Sequence, residues 1–515
     1  MNNLSIRNLG RLMKSFLVAR ARDRSALTLM TLFSGLIISA STAWTAEAPN
    51  IIVVLADDLG YGDIGCYGEK TIRTPNLDQL AADGIRLTSC YAAHPNCSPS
   101  RAALMTGRTP MRLGIYNWIP MLSPMHLRRD EVTVAKLLRD AGYTTCLVGK
   151  WNLNGMFNLP GQPQPNDLGF EYWFATQNVA LPNHRNPYNF VRNGIPVGEV
   201  KGYSAQIVAD ETIEWLEHKR DKARPFFLYV CFHEPHEPIA TDPRFAKLYS
   251  PPSEPARAAH HGNITQLDDA FGRLMRALDD QKLRDHTIVF FTSDNGPAIT
   301  PMHPYGSAGP LRAKKGHLYE GGIRVPGIVR WPGFIRAGSV SDEPVSGVDL
   351  LPTLCAVAKV APPADRMIDG VDIRPLFDGQ PVERKTPLYW HFNHAQSAPK
   401  VAMRIGDWKL LARLDTPDPA SRNDIRKSTQ DDMKRAEPAA FELYNLRDDI
   451  GEAHDLASQE PARVKEMSAV LTRLYHEVRD EWIPWPDWSF ANYDGPRIEW
   501  PPYWKPKSAR PAPAK

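Results

Sequence analysis

Four short runs of apolar, β-favouring residues each break off abruptly into polar side chains, and that repetition constrains the fold more than any other feature of the chain. They are Ile51 to Asp58 (IIVVLADD), Thr144 to Trp151 (TTCLVGKW), Phe226 to Pro238 (FFLYVCFHEPHEP) and Thr287 to Gly296 (TIVFFTSDNG). A continuous apolar run, unlike an alternating one, marks a strand covered on both faces, as in a parallel sheet. Helical patterns lie between the runs, for example Val134 to Gly142 and Phe271 to Gln281. This alternation predicts an α/β fold, a large and mostly parallel sheet flanked by helices. Ligands of such sheets bind beyond the carboxyl ends of the strands. All four polar clusters fall there, so the pattern predicts one convergent site.

The remaining organisation follows from shifts in this pattern. Residues 49–385 carry the strand–helix alternation. From residue 386 to 482 the reading is a smaller α+β domain with an antiparallel sheet: Val401 to Arg413 as a hairpin, then Phe441 to Asp449 as a strand and turn. Val464, Met467, Leu471, Leu474 and Val478 follow at a spacing of three and four residues, one face of a helix. Residues 483–515 form an aromatic and proline-rich tail whose end is expected to be extended or disordered.

Residues 1–48 hold six basic side chains against Asp23 and Glu47, so this segment is +4 and the remainder of a chain of net charge +3 is −1. That balance offers no argument for a nucleic-acid partner. The basic start leads into the apolar run Ala26 to Ala40, with small residues for cleavage after Ala43 or Ala48. The segment is expected to be a secretory signal, the mature protein lying in the periplasm or outside the cell with no stable membrane span. An uncleaved anchor is the competing reading. Six cysteines in an exported chain of 515 residues are too few for a disulfide-held scaffold.

Asp57-Asp58 and Asp294-Asn295 each end a predicted buried strand. Four oxygen-bearing side chains suit a hard cation, Ca²⁺ before Mg²⁺, and not zinc. Singly, each pair reads equally as a turn or a helix cap. Cys97 precedes the helix-favouring stretch Arg101 to Gly107, with Pro99 suited to a first turn. A group at a helix start faces free N–H donors and favours an anion, and Arg101 adds fixed positive charge. The bland alternative is a buried structural cysteine. Lys150, His236 and Lys315 complete the polar set, and each also has a plain surface reading. The repeat His233 to Pro238 is in addition a weak metal-site candidate.

Together these stretches resemble the type I, formylglycine-dependent sulfatases of the alkaline phosphatase superfamily. The resemblance rests on CSPSRAALMTGR (Cys97 to Arg108), with LADDLGYGD (Leu55 to Asp63), GYTTCLVGKW (Gly142 to Trp151), TSDNGP (Thr292 to Pro297), KKGHLYEGGIRVP (Lys314 to Pro326) and ELYNLRDDIGEAHDLA (Glu442 to Ala457) in the family's order. It implies an alkaline phosphatase-like fold and hydrolysis of sulfate esters. It also implies that a separate maturation enzyme converts Cys97 to formylglycine, whose hydrated form attacks sulfur to give a sulfate ester on residue 97. Asp57, Asp58, Asp294, Asn295 and residue 97 would hold Ca²⁺; Arg101, Lys150 and Lys315 would neutralise the sulfuryl oxygens; His236 would protonate the leaving alcohol.

One position departs from the family. GKWNLN places Asn152 where the resemblance calls for a histidine that helps expel sulfate, and asparagine cannot take a proton. Turnover is expected to stall or slow unless His94, His184 or His233 substitutes. Trp482, Trp485, Trp488, Trp500 and Trp504 either pack the tail or line a sugar site. The expected substrate is a sulfated glycan; phosphate or phosphonate ester hydrolysis and a catalytically impaired sulfated-sugar-binding protein are the alternatives.

Overall fold

Strand Asn50–Asp57 sits at the centre of a ten-stranded sheet, between Thr287–Ser293 on one side and Phe226–Pro235 on the other. The computed structural model describes residues 48–249, 253–419 and 421–504. Most of the expected leader and residues 505–515 of the tail lie outside them. Beyond Phe226–Pro235 follow Thr144–Lys150 and Tyr172–Thr176, and these five strands are all parallel. Gly327–Arg330 runs antiparallel against Thr287–Ser293, and Ile85–Leu87 and Ser339–Ser341 extend that edge. The opposite edge ends in the short hairpin Val191–Arg192 and Ile195–Pro196.

The continuous apolar runs have the physical cause inferred for them. Along the central strand Ile51, Val53 and Leu55 enter one hydrophobic core while Ile52, Val54 and Ala56 enter a second on the opposite face. Phe227, Tyr229 and Cys231 alternate with Phe226, Leu228 and Val230 in the same way. Burying one such large apolar side chain contributes about 1.5–3 kcal/mol, which holds the sheet rigid under its polar strand ends. Helices Ser204–Glu214 and Pro255–Asp280 cover the second core, and Cys97–Thr106 and Leu350–Val357 pack over the first.

The C-terminal sheet is antiparallel, in the order Leu388–Phe392, Lys400–Ile405, Trp408–Leu414, Pro438–Asn445. Helix Pro461–Glu481 lies against it with Met467, Leu471, Leu474 and Val478 buried and Val464 half-buried, as the spacing predicted. This sheet shares the first core through Val401, Met403 and Leu410. Lys409, fully buried, bridges Glu320 and Glu452 at 2.9 Å each, fastening the sheet to the segment that follows Lys315. Among the described residues no helix is long and apolar enough to cross a membrane. All six cysteines are free thiols.

Candidate active site

The polar ends of the four predicted strands converge beside the first residue of helix Cys97–Thr106. Asn96 caps this helix, its side-chain oxygen accepting from the Cys97 N–H at 3.1 Å, and Gly107 ends it with φ 68°. Every residue of the helix is buried, and Cys97 is held at its first turn beside the cavity that it lines. Lys315 Nζ lies 3.3 Å from its sulfur and Asp57 Oδ1 3.8 Å away. Burial pushes the thiol up to about 11 against the pull of Lys150 and Lys315. No histidine hydrogen-bonds the sulfur among the described residues. An unmodified thiol here is held in its protonated form and has no hydrogen-bonded histidine to activate it.

Three buried ion pairs surround this position. Lys150 Nζ meets Asp57 Oδ2 at 2.6 Å, Lys315 Nζ meets Asp58 Oδ1 at 2.6 Å, and Arg101 donates through Nε and Nη2 to Asp294 Oδ2 at 3.0 and 2.8 Å. Burial alone would raise the Asp57 carboxyl, but Lys150, His236 and Arg101 outweigh it and hold it at about 2. Asp58 is lowered in the same manner, burial being overcome by Lys315 and His236. Burial disfavours the charged forms of Lys150 and Lys315, yet Asp57 and Asp58 raise both above the ordinary lysine value. Three carboxylates against three cations are neutral as a set, which is what makes their burial tolerable.

The oxygens left over fit a cation. Asp57 Oδ1 and Asp58 Oδ2 are not used in the lysine pairs. Asp294 Oδ1 takes only a backbone N–H, from Asp58, at 3.2 Å. Asn295 anchors its amide nitrogen on Asp58 Oδ1 at 2.7 Å and leaves its own oxygen buried without a partner. A buried acceptor with no donor is costly, and one beside three carboxylates is explained by a hard ion. Asp57, Asp58, Cys97 and His236 each place a ligand atom within 4.8 Å of the others.

His236 stands at the rim, its Nε2 3.7 Å from Asp58 Oδ2 and its Nδ1 bonded to the Glu237 carbonyl. His233 points elsewhere, with Nε2 2.7 Å from Thr176 Oγ1, so the two histidines of the repeat do not form a metal pair. Asn152 is fully buried at φ 56°, accepting from Ser98 Oγ at 2.7 Å and donating to the Ile119 carbonyl at 3.3 Å. His184 is engaged with Asn263 at 3.2 Å, and the His94 ring meets Phe392 edge-on.

Three of the tryptophans pack, and a fourth lines the cavity. Trp482, Trp485 and Trp488 pack against the first core, Trp485 donating Nε1 to the Gly114 carbonyl at 2.7 Å. Trp500 lines the cavity over Cys97, and Trp504 sits in a turn on Pro501. The start of the proline-rich end is ordered: Tyr503 Oη lies 2.9 Å from His303 Nε2. Sequence reading missed Asn117, Trp118, Arg422 and Phe490, which line the same cavity from distant loops that carry no motif.

The Sulfatase family profile matches residues 49–360, and the profile "N-sulphoglucosamine sulphohydrolase, C-terminal" matches residues 313–434. The chain is 36% identical to human arylsulfatase A over 464 residues, 83% of this chain and 87% of that one. It is 35% identical to canine N-acetylgalactosamine-6-sulfatase over 408 residues, 73% and 74% of the two chains. Among solved structures it resembles Ps i-CgsB bound to k-i-k-neocarrahexaose, with a TM-score of 0.73 and 28% identity over 85% of this chain and 94% of that one. With the profile covering more than half its length and these relatives matched over most of theirs, the chain belongs to the sulfatase family of sulfuric ester hydrolases.

Proposed function

We propose that sulfate-ester hydrolysis by this chain acts on a sulfated glycan, with residue 97 converted to formylglycine by a separate maturation enzyme. Ca²⁺, in preference to Mg²⁺, is held by Asp57, Asp58, Asp294 and Asn295 together with residue 97. The observation that carries this reading is the unpartnered Asn295 oxygen beside three carboxylates at the helix that begins with Cys97. A glycan substrate is supported by the N-acetylgalactosamine-6-sulfatase relative and by the oligosaccharide complex of Ps i-CgsB. Export is supported by the basic and apolar run of residues 1–48. Residues 49–385 form the catalytic part, 386–482 the α+β part and 483–515 the tail.

Formylglycine, when hydrated, supplies an oxygen nucleophile, and the bound cation supplies Lewis acidity toward it and toward a sulfate oxygen. The side chains of the protein do the rest. Lys315, Lys150 and Arg101 are held in place by their carboxylates and offset charge building on the sulfuryl oxygens, a term of several kcal/mol in a dry site. The bond from His236 Nδ1 to the Glu237 carbonyl fixes Nδ1 as a donor, which leaves Nε2 as the nitrogen through which this ring exchanges a proton with the leaving oxygen. Asn152 favours a second reading, a protein that binds sulfated sugar and turns over poorly.

Peptide mass spectrometry of residue 97 in protein from its host, with an aryl sulfate assay, tests the proposal. Formylglycine with multiple turnovers is expected. Added Ca²⁺ should raise the melting temperature, as any ligand that binds only the folded state does. A chelator should reverse the rise, and Asn295→Leu should abolish it. An unmodified thiol in active protein, or a melting temperature indifferent to Ca²⁺, would reject the assignment.

A further inference from the structure

The cavity over residue 97 is larger than a sulfate group requires. Its volume is about 440 Å³, within the range of sites that enclose a drug-sized ligand. Past Cys97, His236 and Lys315 its wall comes from segments that the hydrolytic step does not use: the loop at Asn117 and Trp118, the loop at Arg422 and Asn423, and the tail from Phe490 to Trp500.

Two features of that wall describe a ligand. The first is aromatic. Trp118 donates Nε1 to Asn423 Oδ1 at 3.1 Å and meets Phe490 edge-on with centroids 5.9 Å apart, while Trp500 stands 40% exposed on the tail side. Rings fixed by a polar handle and left open to a cavity suit the C–H face of a pyranose. The second is charge. Two cations line the cavity, Lys315 and Arg422. Lys315 is paired with Asp58, whereas Arg422 has no carboxylate within salt-bridge reach among the described residues. Its loop is nonetheless held: Arg422 Nη1 donates to the His394 carbonyl at 2.7 Å, and Asn117 Nδ2 donates to the Arg422 carbonyl at 2.7 Å. Of the lining carboxylates, Glu237 is engaged with His303 at 2.8 Å, while Asp494 lies 3.8 Å from Arg497 Nη1 and leaves Oδ1 buried without a hydrogen-bond partner. Arg422 is exposed, and its Nε and Nη2 make no hydrogen bond among the described residues, so both are open to a ligand in the cavity.

We propose that Arg422 binds a second anionic group, a sulfate or a carboxylate, on the sugar that stacks against Trp118 and Phe490. The preferred substrate is then an oligosaccharide bearing a further negative charge next to the scissile sulfate ester. This rests on the sulfated-glycan reading above and adds to it a residue that sets specificity.

The test is calorimetric binding, with Ca²⁺ present and in a Cys97→Ala background so that hydrolysis does not deplete the ligand. Three oligosaccharides of equal length are compared: one carrying a single sulfate, one with a second sulfate, and one with a single sulfate and a uronate. A charge-assisted bond to arginine is worth about tenfold or more in affinity. At least one doubly charged ligand should therefore bind about tenfold tighter than the singly charged one, and Arg422→Gln should bring that ratio close to one. The arm that shows the preference identifies sulfate or carboxylate as the group read. Equal affinity for all three ligands, or a preference that survives Arg422→Gln, overturns the proposal. Aryl sulfate turnover by the unsubstituted chain reports separately: no turnover with the charge preference intact rejects the hydrolytic reading and leaves the role of Arg422 standing.

Discussion

Asn152 is the residue at which chemistry and family pattern part. Its amide accepts from Ser98 Oγ and donates to the Ile119 carbonyl, so it ties the residue after Cys97 to the Ile119 loop without being able to move a proton. The histidines that could replace a missing base are elsewhere. His94 touches Phe392, and burial pushes it down to about 3. His184 bonds Asn263, and His233 bonds Thr176. General acid–base catalysis contributes about 10²- to 10⁴-fold, so the step that releases sulfate should be slower than the step that releases alcohol by about 10²-fold. Stopped-flow assay of a chromogenic aryl sulfate is expected to show a burst of one alcohol per formylglycine site followed by a slow steady phase. Asn152→His should raise the steady phase, since histidine is among the residues that tolerate positive φ. A linear time course from the first turnover would show that another group already serves as the base.

The elements that position the site are strands, and Gly149 shows how tightly. It pairs with Cys231 of the neighbouring strand at φ 107°, and a Cβ built on it would lie 1.8 Å from the Cys231 carbonyl oxygen. Gly149→Ala must therefore part the two strands that present Lys150 and His236. The expected cost is on the order of 3 kcal/mol, read as a loss of melting temperature, with activity falling further than stability because Lys150 is displaced. A variant that melts and turns over like the parent would show that the sheet yields there at little cost. The strands and their polar ends were legible in the sequence because a strand buried on both faces leaves an unbroken apolar run, ended only where Asp57, Lys150 and Asp294 enter the site. Their order in the sheet was not, since no local signal says that Asn50–Asp57 lies between Phe226–Pro235 and Thr287–Ser293. Nor was the outer wall. Trp118, Arg422 and Phe490 come from three loops far apart in the sequence, and singly each reads as an ordinary surface residue.

At the scale of the whole molecule the packing of the C-terminal sheet beside the nucleophile helix buries histidines in neutral form. Burial holds His94 and His391 at about 3 and His394 at about 4, and in the helix Pro255–Asp280 it holds His260 at about 3 and His261 at about 4. Below the ordinary imidazole value of 6.5 the unfolded chain takes up protons at these sites and the folded chain does not, so stability must fall as pH drops from 6.5 toward 3. Each unit of depression is worth about 1.4 kcal/mol. Three buried carboxyls work in the opposite sense: burial raises Asp63, Asp268 and Glu452 to about 7, so their folded forms keep a proton that the unfolded chain releases. Burial also lowers His126, His184, His233 and His317 and raises Asp494, so the depressed histidines outnumber the raised carboxyls and dominate. Melting temperature should be nearly level above pH 7 and fall steeply between pH 6.5 and 4.5. His391→Gln, which keeps an acceptor for the Asn393 side chain that now bonds the ring at 3.0 Å, should flatten that fall by removing one proton uptake. A melting temperature that rises on acidification would mean that the carboxyls prevail.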